Sequence, residues 1–174
     1  MEVKRGGMMK IRALAGAGLF AIGLVRAASA EAPSVDHQPS PCMVPEKPAS
    51  LCASITDDGQ VAAARIYFRP AGDKFYSFVD MVFGGLSFCG TLPPVRAGKV
   101  QVIEYYVQAV DDQYESQRTS TFNLEVNPEC EFAPVEKDAS RAAAIKVHAT
   151  NQKQGKKLPE EFVPTGVTFV PVTR

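Results

Sequence analysis

Residues 102–112 constrain the fold of this chain more than any other segment. Two sets of side chains alternate along it, Ile103, Tyr105, Val107 and Ala109 against Glu104, Tyr106, Gln108 and Val110. A period of two in a run rich in β-forming residues predicts a strand, and Asp111-Asp112 ends it. We therefore expect a central strand of an antiparallel β-sandwich, with the first set of side chains in the core.

The first 30 residues have the pattern of a secretory signal peptide. A basic start is followed by an uncharged apolar run at 13–25 and by Ala28-Ser29-Ala30, a small-x-small cleavage pattern. The alternative, a membrane anchor, needs about 20 apolar residues, and this run is shorter. We expect a secreted or periplasmic protein that begins near Glu31 and has no stable membrane insertion after cleavage.

The charge of the chain excludes some classes of partner. Its formal net charge is zero, and without residues 1–30 it holds 14 basic and 18 acidic residues, a net charge of −4. Such a balance predicts no nucleic-acid partner and no polybasic membrane patch.

All four cysteines lie in the part predicted to be exported. An even count in an oxidising compartment predicts two disulfides, with three possible pairings. A zinc site is the alternative, but the spacings are wide and only His37 and His148 could add ligands. No cofactor is predicted.

Residues 49–130 carry the strand signals. Turn residues separate six short runs of β-forming residues, at 51–56, 62–69, 75–83, 86–92, 101–110 and 119–126. This pattern predicts one all-β sandwich domain. The Pro-rich lead-in 31–48 has room for a seventh strand. In the extension 131–174, two β-like runs predict a loose hairpin or an added strand, and helix is credible only near 138–144.

Three strand motifs resemble the immunoglobulin-like and fibronectin type III-like modules of bacterial exported proteins. In order, they are Ala64-Arg-Ile-Tyr-Phe-Arg69, Phe88-Cys-Gly-Thr-Leu-Pro93 and Glu104-Tyr-Tyr-Val-Gln-Ala-Val-Asp111. The resemblance covers about residues 49–127. It implies a sheet ABE packed on a sheet C′CFG, with the six runs as strands B, C, C′, E, F and G. Such modules are mostly non-catalytic spacers, adhesins or accessory binding domains.

The resemblance also implies a disulfide pairing. Alternation places Cys52 on the outer side of strand B and Cys89 on the outer side of strand E, and B and E are neighbours in this fold. Cys52 would then pair with Cys89. The remaining cysteines, Cys42 and Cys130, would form a disulfide that links the two ends of the domain. Tyr105 would lie inward near the start of strand F, like a tyrosine-corner residue whose hydroxyl needs a backbone partner.

Acidic residues fall in two loops that would meet at one end of such a fold. This acidic pole consists of Asp57, Asp58, Asp111 and Asp112, with Glu115 nearby. Clustered carboxylates suit Ca²⁺. The alternative is that each Asp only ends a strand or caps a turn, since no Asp-x-Asp-x-Asp loop is present.

Two tyrosines would point outward from neighbouring strands. Tyr67 on strand C and Tyr106 on strand F form an aromatic face together with Arg65, Arg69 and Gln108. Tyr76 or Phe78 on strand C′ could extend this face. Flat rings beside hydrogen-bonding groups suit glycan or peptide binding. The alternatives are ordinary cross-strand pairing or burial under the C-terminal segment.

No catalytic motif occurs in the sequence: Gly-x-Ser-x-Gly, His-Glu-x-x-His and phosphate-binding glycine loops are all missing. The sequence therefore predicts a non-catalytic secreted or periplasmic immunoglobulin-like module that contacts protein or glycan at the cell envelope. The alternatives are a carbohydrate-binding accessory domain of a hydrolase system and, less favoured, a small envelope enzyme.

Overall fold

A computed structural model of the protein describes residues 31–131 and 144–173. The predicted signal peptide and most of the predicted helical turn near 138–144 lie outside the described residues. Within them the chain is nearly all β, apart from a short 3₁₀ helix at Gln152–Gln154. No helix in this part of the chain is long and apolar enough to cross a bilayer.

Twelve strands make up the described chain. They are β1 (Ser34–Asp36), β2 (Cys42–Met43), β3 (Ala49–Thr56), β4 (Val61–Pro70), β5 (Ser77–Asp80), β6 (Val82–Phe83), β7 (Phe88–Leu92), β8 (Val102–Asp111), β9 (Ser116–Arg118), β10 (Phe122–Val126), β11 (Ile145–Ala149) and β12 (Val167–Val170). The smaller sheet has the order β1-β3-β7-β6, and the larger has β12-β11-β5-β4-β8-β10-β2, with β9 also paired to β8. The predicted all-β architecture is therefore confirmed.

The larger sheet is mixed, whereas the sequence predicted antiparallel pairing throughout. β2 runs parallel to β10, and β12 runs parallel to β11. Parallel neighbours need a crossover of a dozen or more residues, and the segment 150–166 supplies one. Of the two predicted C-terminal arrangements, the added strand is the observed one, because β11 pairs with β5.

The predicted strand at 75–83 is divided between the two sheets. β5 pairs with β4 in the larger sheet, and β6 pairs with β7 in the smaller one. Met81 lies at the crossing point, where it is buried and donates its N–H to the carbonyl of Ala64 at 2.8 Å. Alternation did not reveal this break because both sides of the run are apolar.

The core lies between the two sheets. The side chains that the sequence assigned to the inner side of β8 are all buried there, namely Ile103, Tyr105, Val107 and Ala109. Val147 of β11 and Phe162 of the crossover join the same cluster. The described part of the C-terminal extension, residues 144–173, thus contributes side chains to the packed core.

Two disulfides join the cysteines in the predicted pairs. Cys52 and Cys89 are directly opposed on β3 and β7, with their Cα atoms 4.1 Å apart. Cys42 and Cys130 are bonded across a sequence separation of 88, with Cα atoms 5.8 Å apart. Disulfides form and persist in oxidising compartments, so these bonds indicate an extracytoplasmic setting.

Gly90 of β7 packs closely against side chains between the sheets. A Cβ atom at this position would lie 2.8 Å from Cδ1 of Ile66 and 3.1 Å from Cγ of Met81. Both neighbours are buried, and overfilled cores lose stability. We expect Gly90→Ala to lower the free energy of unfolding by about 1–3 kcal/mol in urea titrations.

Ile66→Val provides the matched test, since it removes the Cδ1 atom that the new methyl group would meet. Alone it should cost about 0.5–1.5 kcal/mol. Combined with Gly90→Ala it should recover part of the loss, so the double variant should be more stable than the sum of the two single effects. Simple additivity would show that Gly90 is not a packing constraint.

Candidate functional site

A row of four aromatic rings crosses the outer side of the larger sheet, one ring per strand. Tyr106 of β8 is opposite Tyr67 of β4, Tyr67 is opposite Phe78 of β5, and Phe78 is opposite His148 of β11. Successive ring centroids are 4.9, 5.3 and 4.7 Å apart. These distances are close to the spacing of neighbouring strands, so the backbone register sets the stacking.

Two guanidinium groups lie against rings of the row, and a third lies against Tyr76, whose ring meets Tyr106 edge-on at 5.2 Å between centroids. The Cζ-to-centroid distances are 4.6 Å for Arg65 over Phe78, 4.3 Å for Arg69 over Tyr76 and 5.1 Å for Arg118 over Tyr106. A cation over an aromatic ring is attracted by the ring's electron-rich face. The aromatic face is thus also a basic one.

Carboxylates neutralise only part of this charge. Nε of Arg65 lies 3.1 Å from Oδ1 of Asp80, and Nη2 of Arg69 lies 2.7 Å from Oε2 of Glu104. Within residues 31–131 and 144–173, Arg118 has no carboxylate within 4.0 Å. The three guanidinium groups therefore face two carboxylates, and Arg118 is exposed.

The polar groups alter the proton affinities of their neighbours. Burial raises the pKa of the Tyr106 hydroxyl, with Tyr67 adding to the effect and Arg118 opposing it. Burial lowers the pKa of Arg65, but hydrogen bonds with Tyr67 and Asp80 outweigh this and leave the pKa raised. Both tyrosines are thus held beside permanent positive charge.

The five residues that the sequence assigned to this face lie together. Arg65 is opposite Gln108, Tyr67 is opposite Tyr106, and Arg69 is opposite Glu104. All are partly exposed, because β11 and β12 extend the sheet at its edge instead of lying over it. Burial under the C-terminal segment is therefore not observed among the described residues.

Two members of the site were not anticipated from the sequence. His148 reaches the row only because β11 pairs with β5, which no local pattern in the C-terminal segment reveals. Arg118 belongs to β9, a three-residue strand within what the sequence predicted as a loop. Its Cα is opposite that of Gln108, which aligns it with the face.

Stacking covers ring faces within the row. Tyr106 and Tyr67 stack with an interplanar angle of 8°, and Phe78 and His148 stack with an angle of 11°. Tyr67 has Tyr106 on one side and Phe78 on the other, since β8 and β5 flank β4. Its two ring faces are therefore occupied within the protein.

The acidic pole is formed by two loops that meet as predicted. Asp112 donates its N–H to the carbonyl of Gln60 at 3.0 Å. A Cβ placed on Gly59 would lie 3.3 Å from Oδ2 of Asp57 and 3.3 Å from Oδ1 of Asp112. Even so, the described residues contain no group of three or more His, Cys, Asp or Glu side chains placed to hold a metal ion.

Turn capping uses one of the two oxygens of Asp111 and one of the two oxygens of Asp57. Oδ1 of Asp111 accepts the N–H groups of Gln113 and Glu115, both at 2.8 Å. Oδ2 of Asp57 accepts the N–H of Gly59 at 2.9 Å, while Asp58 is exposed. The predicted cluster of four carboxylates is thus not assembled, because the turns orient each side chain separately.

Tyr105 is tied to the lead-in by a histidine. Nδ1 of His37 donates to the carbonyl of Cys52 at 2.8 Å, so Nε2 of a neutral ring accepts from the Tyr105 hydroxyl at 2.9 Å. The hydroxyl also has a backbone hydrogen bond with Ser40. His37 is the side-chain partner of the Tyr105 hydroxyl, and the sequence did not predict it.

Comparison with protein-family models and with curated proteins finds no match.

Proposed function

We propose that the protein is a non-catalytic, exported module of the immunoglobulin-like or fibronectin type III-like kind that binds another protein at the cell envelope through the aromatic face. The observation that carries this proposal is the half-exposed row of four rings bordered by three guanidinium groups. Tyr and Arg are the residue types most enriched among the energetically dominant contacts of protein interfaces.

Ring orientation favours a protein partner over a glycan. A sugar packs its C–H face onto an open aromatic face, whereas Tyr67 has both faces covered by Tyr106 and Phe78. The rings are half-exposed, and the exposed Arg118 has no carboxylate partner in the described part of the chain. These groups suit acidic and polar side chains of a protein surface.

The use of the two histidines supports a non-catalytic role. His37 bonds to Tyr105 and to the carbonyl of Cys52, and His148 stacks on Phe78. Within residues 31–131 and 144–173, neither histidine forms a hydrogen bond with a serine, and the four cysteines are all in disulfides. The nucleophile–base pairs on which covalent catalysis depends are not formed by these residues.

Site-specific photo-crosslinking in the native host tests the proposal. A photoreactive residue in place of Gln108 should yield a discrete crosslinked protein, because this position borders the face between Arg65 and Arg118. Arg118→Glu should remove that product by reversing the charge of this exposed side chain. Tyr67→Ala combined with Tyr106→Ala should also remove it and leave a folded protein.

The matched control places the same photoreactive residue at Ser54, an exposed position on β3 of the other sheet. Crosslinking there should be absent or insensitive to Arg118→Glu. Equal products from both positions would contradict the proposal. Glycan-array binding lost in the double tyrosine variant would identify the face as a carbohydrate site instead.

A further inference from the structure

Two carboxylate oxygens at the acidic pole are buried without a hydrogen-bond partner in the described part of the chain. They are Oδ2 of Asp111 and Oδ1 of Asp57. Asp111 is only 1% exposed. Burying a polar oxygen without a hydrogen-bond partner is unfavourable by several times the thermal energy. A cation that contacts both oxygens would remove this penalty.

Both oxygens belong to the same end of the space between the sheets. Burial alternates along β8, and Asp111 follows Ala109 at the next inward position. Asp57 directly follows β3 of the facing sheet. The hydrogen bond from the Asp112 N–H to the Gln60 carbonyl ties the two loops together.

The other oxygen of each carboxylate fixes its orientation. Oδ1 of Asp111 holds the N–H groups of Gln113 and Glu115, and Oδ2 of Asp57 holds the N–H of Gly59. The unpartnered oxygens are therefore held in place by the turns themselves. A ligand would not have to order these side chains on binding.

We propose that the acidic pole binds one hard divalent cation, of which Ca²⁺ is the representative, through Oδ1 of Asp57 and Oδ2 of Asp111. Ca²⁺ accepts oxygen ligands that include backbone carbonyls and water, so two carboxylates suffice as its charged anchors. With no third side-chain ligand in the described residues, we expect a Kd of about 10⁻⁴–10⁻³ M, the range of extracellular calcium modules. This site is separate from the aromatic face and does not depend on the proposed function.

Thermal unfolding of the purified protein tests the site with CaCl₂ as the probe. Moving from EDTA to about 10 mM CaCl₂ should raise Tm by about 5 °C, with NaCl of equal ionic strength as the salt control. Asp111→Asn and Asp57→Asn should each abolish the shift. Each asparagine keeps one oxygen for its turn N–H groups and replaces the other with an NH₂ group that cannot bind a cation.

Asp58→Asn is the matched control, because Asp58 is in the same loop but exposed. It should retain the full calcium shift. If one of the two inner variants does not fold, calorimetric titration of the other with CaCl₂ decides the question. No calcium shift in the unsubstituted protein, or an undiminished shift in both Asp57→Asn and Asp111→Asn, would overturn the proposal.

Discussion

Replacing Cys42 and Cys130 together by serine is expected to lower the free energy of unfolding by about 4.5 kcal/mol. The bond spans a sequence separation of 88, and a cross-link restricts the unfolded chain more as the loop it closes grows. Domains are typically stable by about 5–15 kcal/mol, so the variant should be near the limit of folding at 37 °C. Urea unfolding of the oxidised protein and the variant measures the difference.

The second disulfide is the internal comparison. Cys52 and Cys89 are separated by 37 residues, for which the same chain-entropy relation gives about 4 kcal/mol. The double serine variant of this pair should therefore be slightly less destabilised than the Cys42–Cys130 variant. A much smaller loss for Cys42 and Cys130 would mean that the ends of the domain are held mainly by β2 and its pairing with β10.

Alternation of apolar and polar residues correctly predicted which side of β8 and of β3 is buried. In β8 every second residue is buried, as the sequence indicated, and in β3 the outward position of Cys52 follows the same rule. Side chains at opposed positions on the same face of two paired strands lie next to each other because of the strand register. This is why Tyr67 and Tyr106 were placed together correctly without any knowledge of their contacts.

The features that the sequence did not predict depend on contacts between residues far apart in the chain. His148 joins the row because β11 docks on β5, about 70 residues earlier in the chain. Likewise, β12 runs parallel to β11 because a long crossover separates them, a choice that short β-like runs do not encode. The side-chain partner of Tyr105 was missed for the same reason, since His37 lies in an irregular segment.

Replacing Tyr105 by alanine is expected to cost about 3–5 kcal/mol, because the ring is fully buried between the sheets. Tyr105→Phe keeps the ring and removes only the hydroxyl that His37 and Ser40 contact, so it should cost about 1–2 kcal/mol. Urea unfolding at neutral pH separates the two contributions. Equal losses in both variants would mean that the hydrogen bonds, and not the ring, account for the stabilisation.

Because of the Tyr105 hydroxyl, the free energy of unfolding should fall at alkaline pH. Burial raises the pKa of Tyr105 from 10.0 to about 12, with the Ser40 backbone hydrogen bond opposing the rise. The folded protein thus keeps a proton that the unfolded chain releases, so this contribution to stability is complete below pH 10 and is lost as the pH approaches 12. The loss amounts to about 1.4 kcal/mol per pH unit across this window. Unfolding free energies measured from pH 9 to 12 should therefore fall more steeply for the unsubstituted protein than for Tyr105→Phe, and parallel profiles would show that the hydroxyl is not buried in solution.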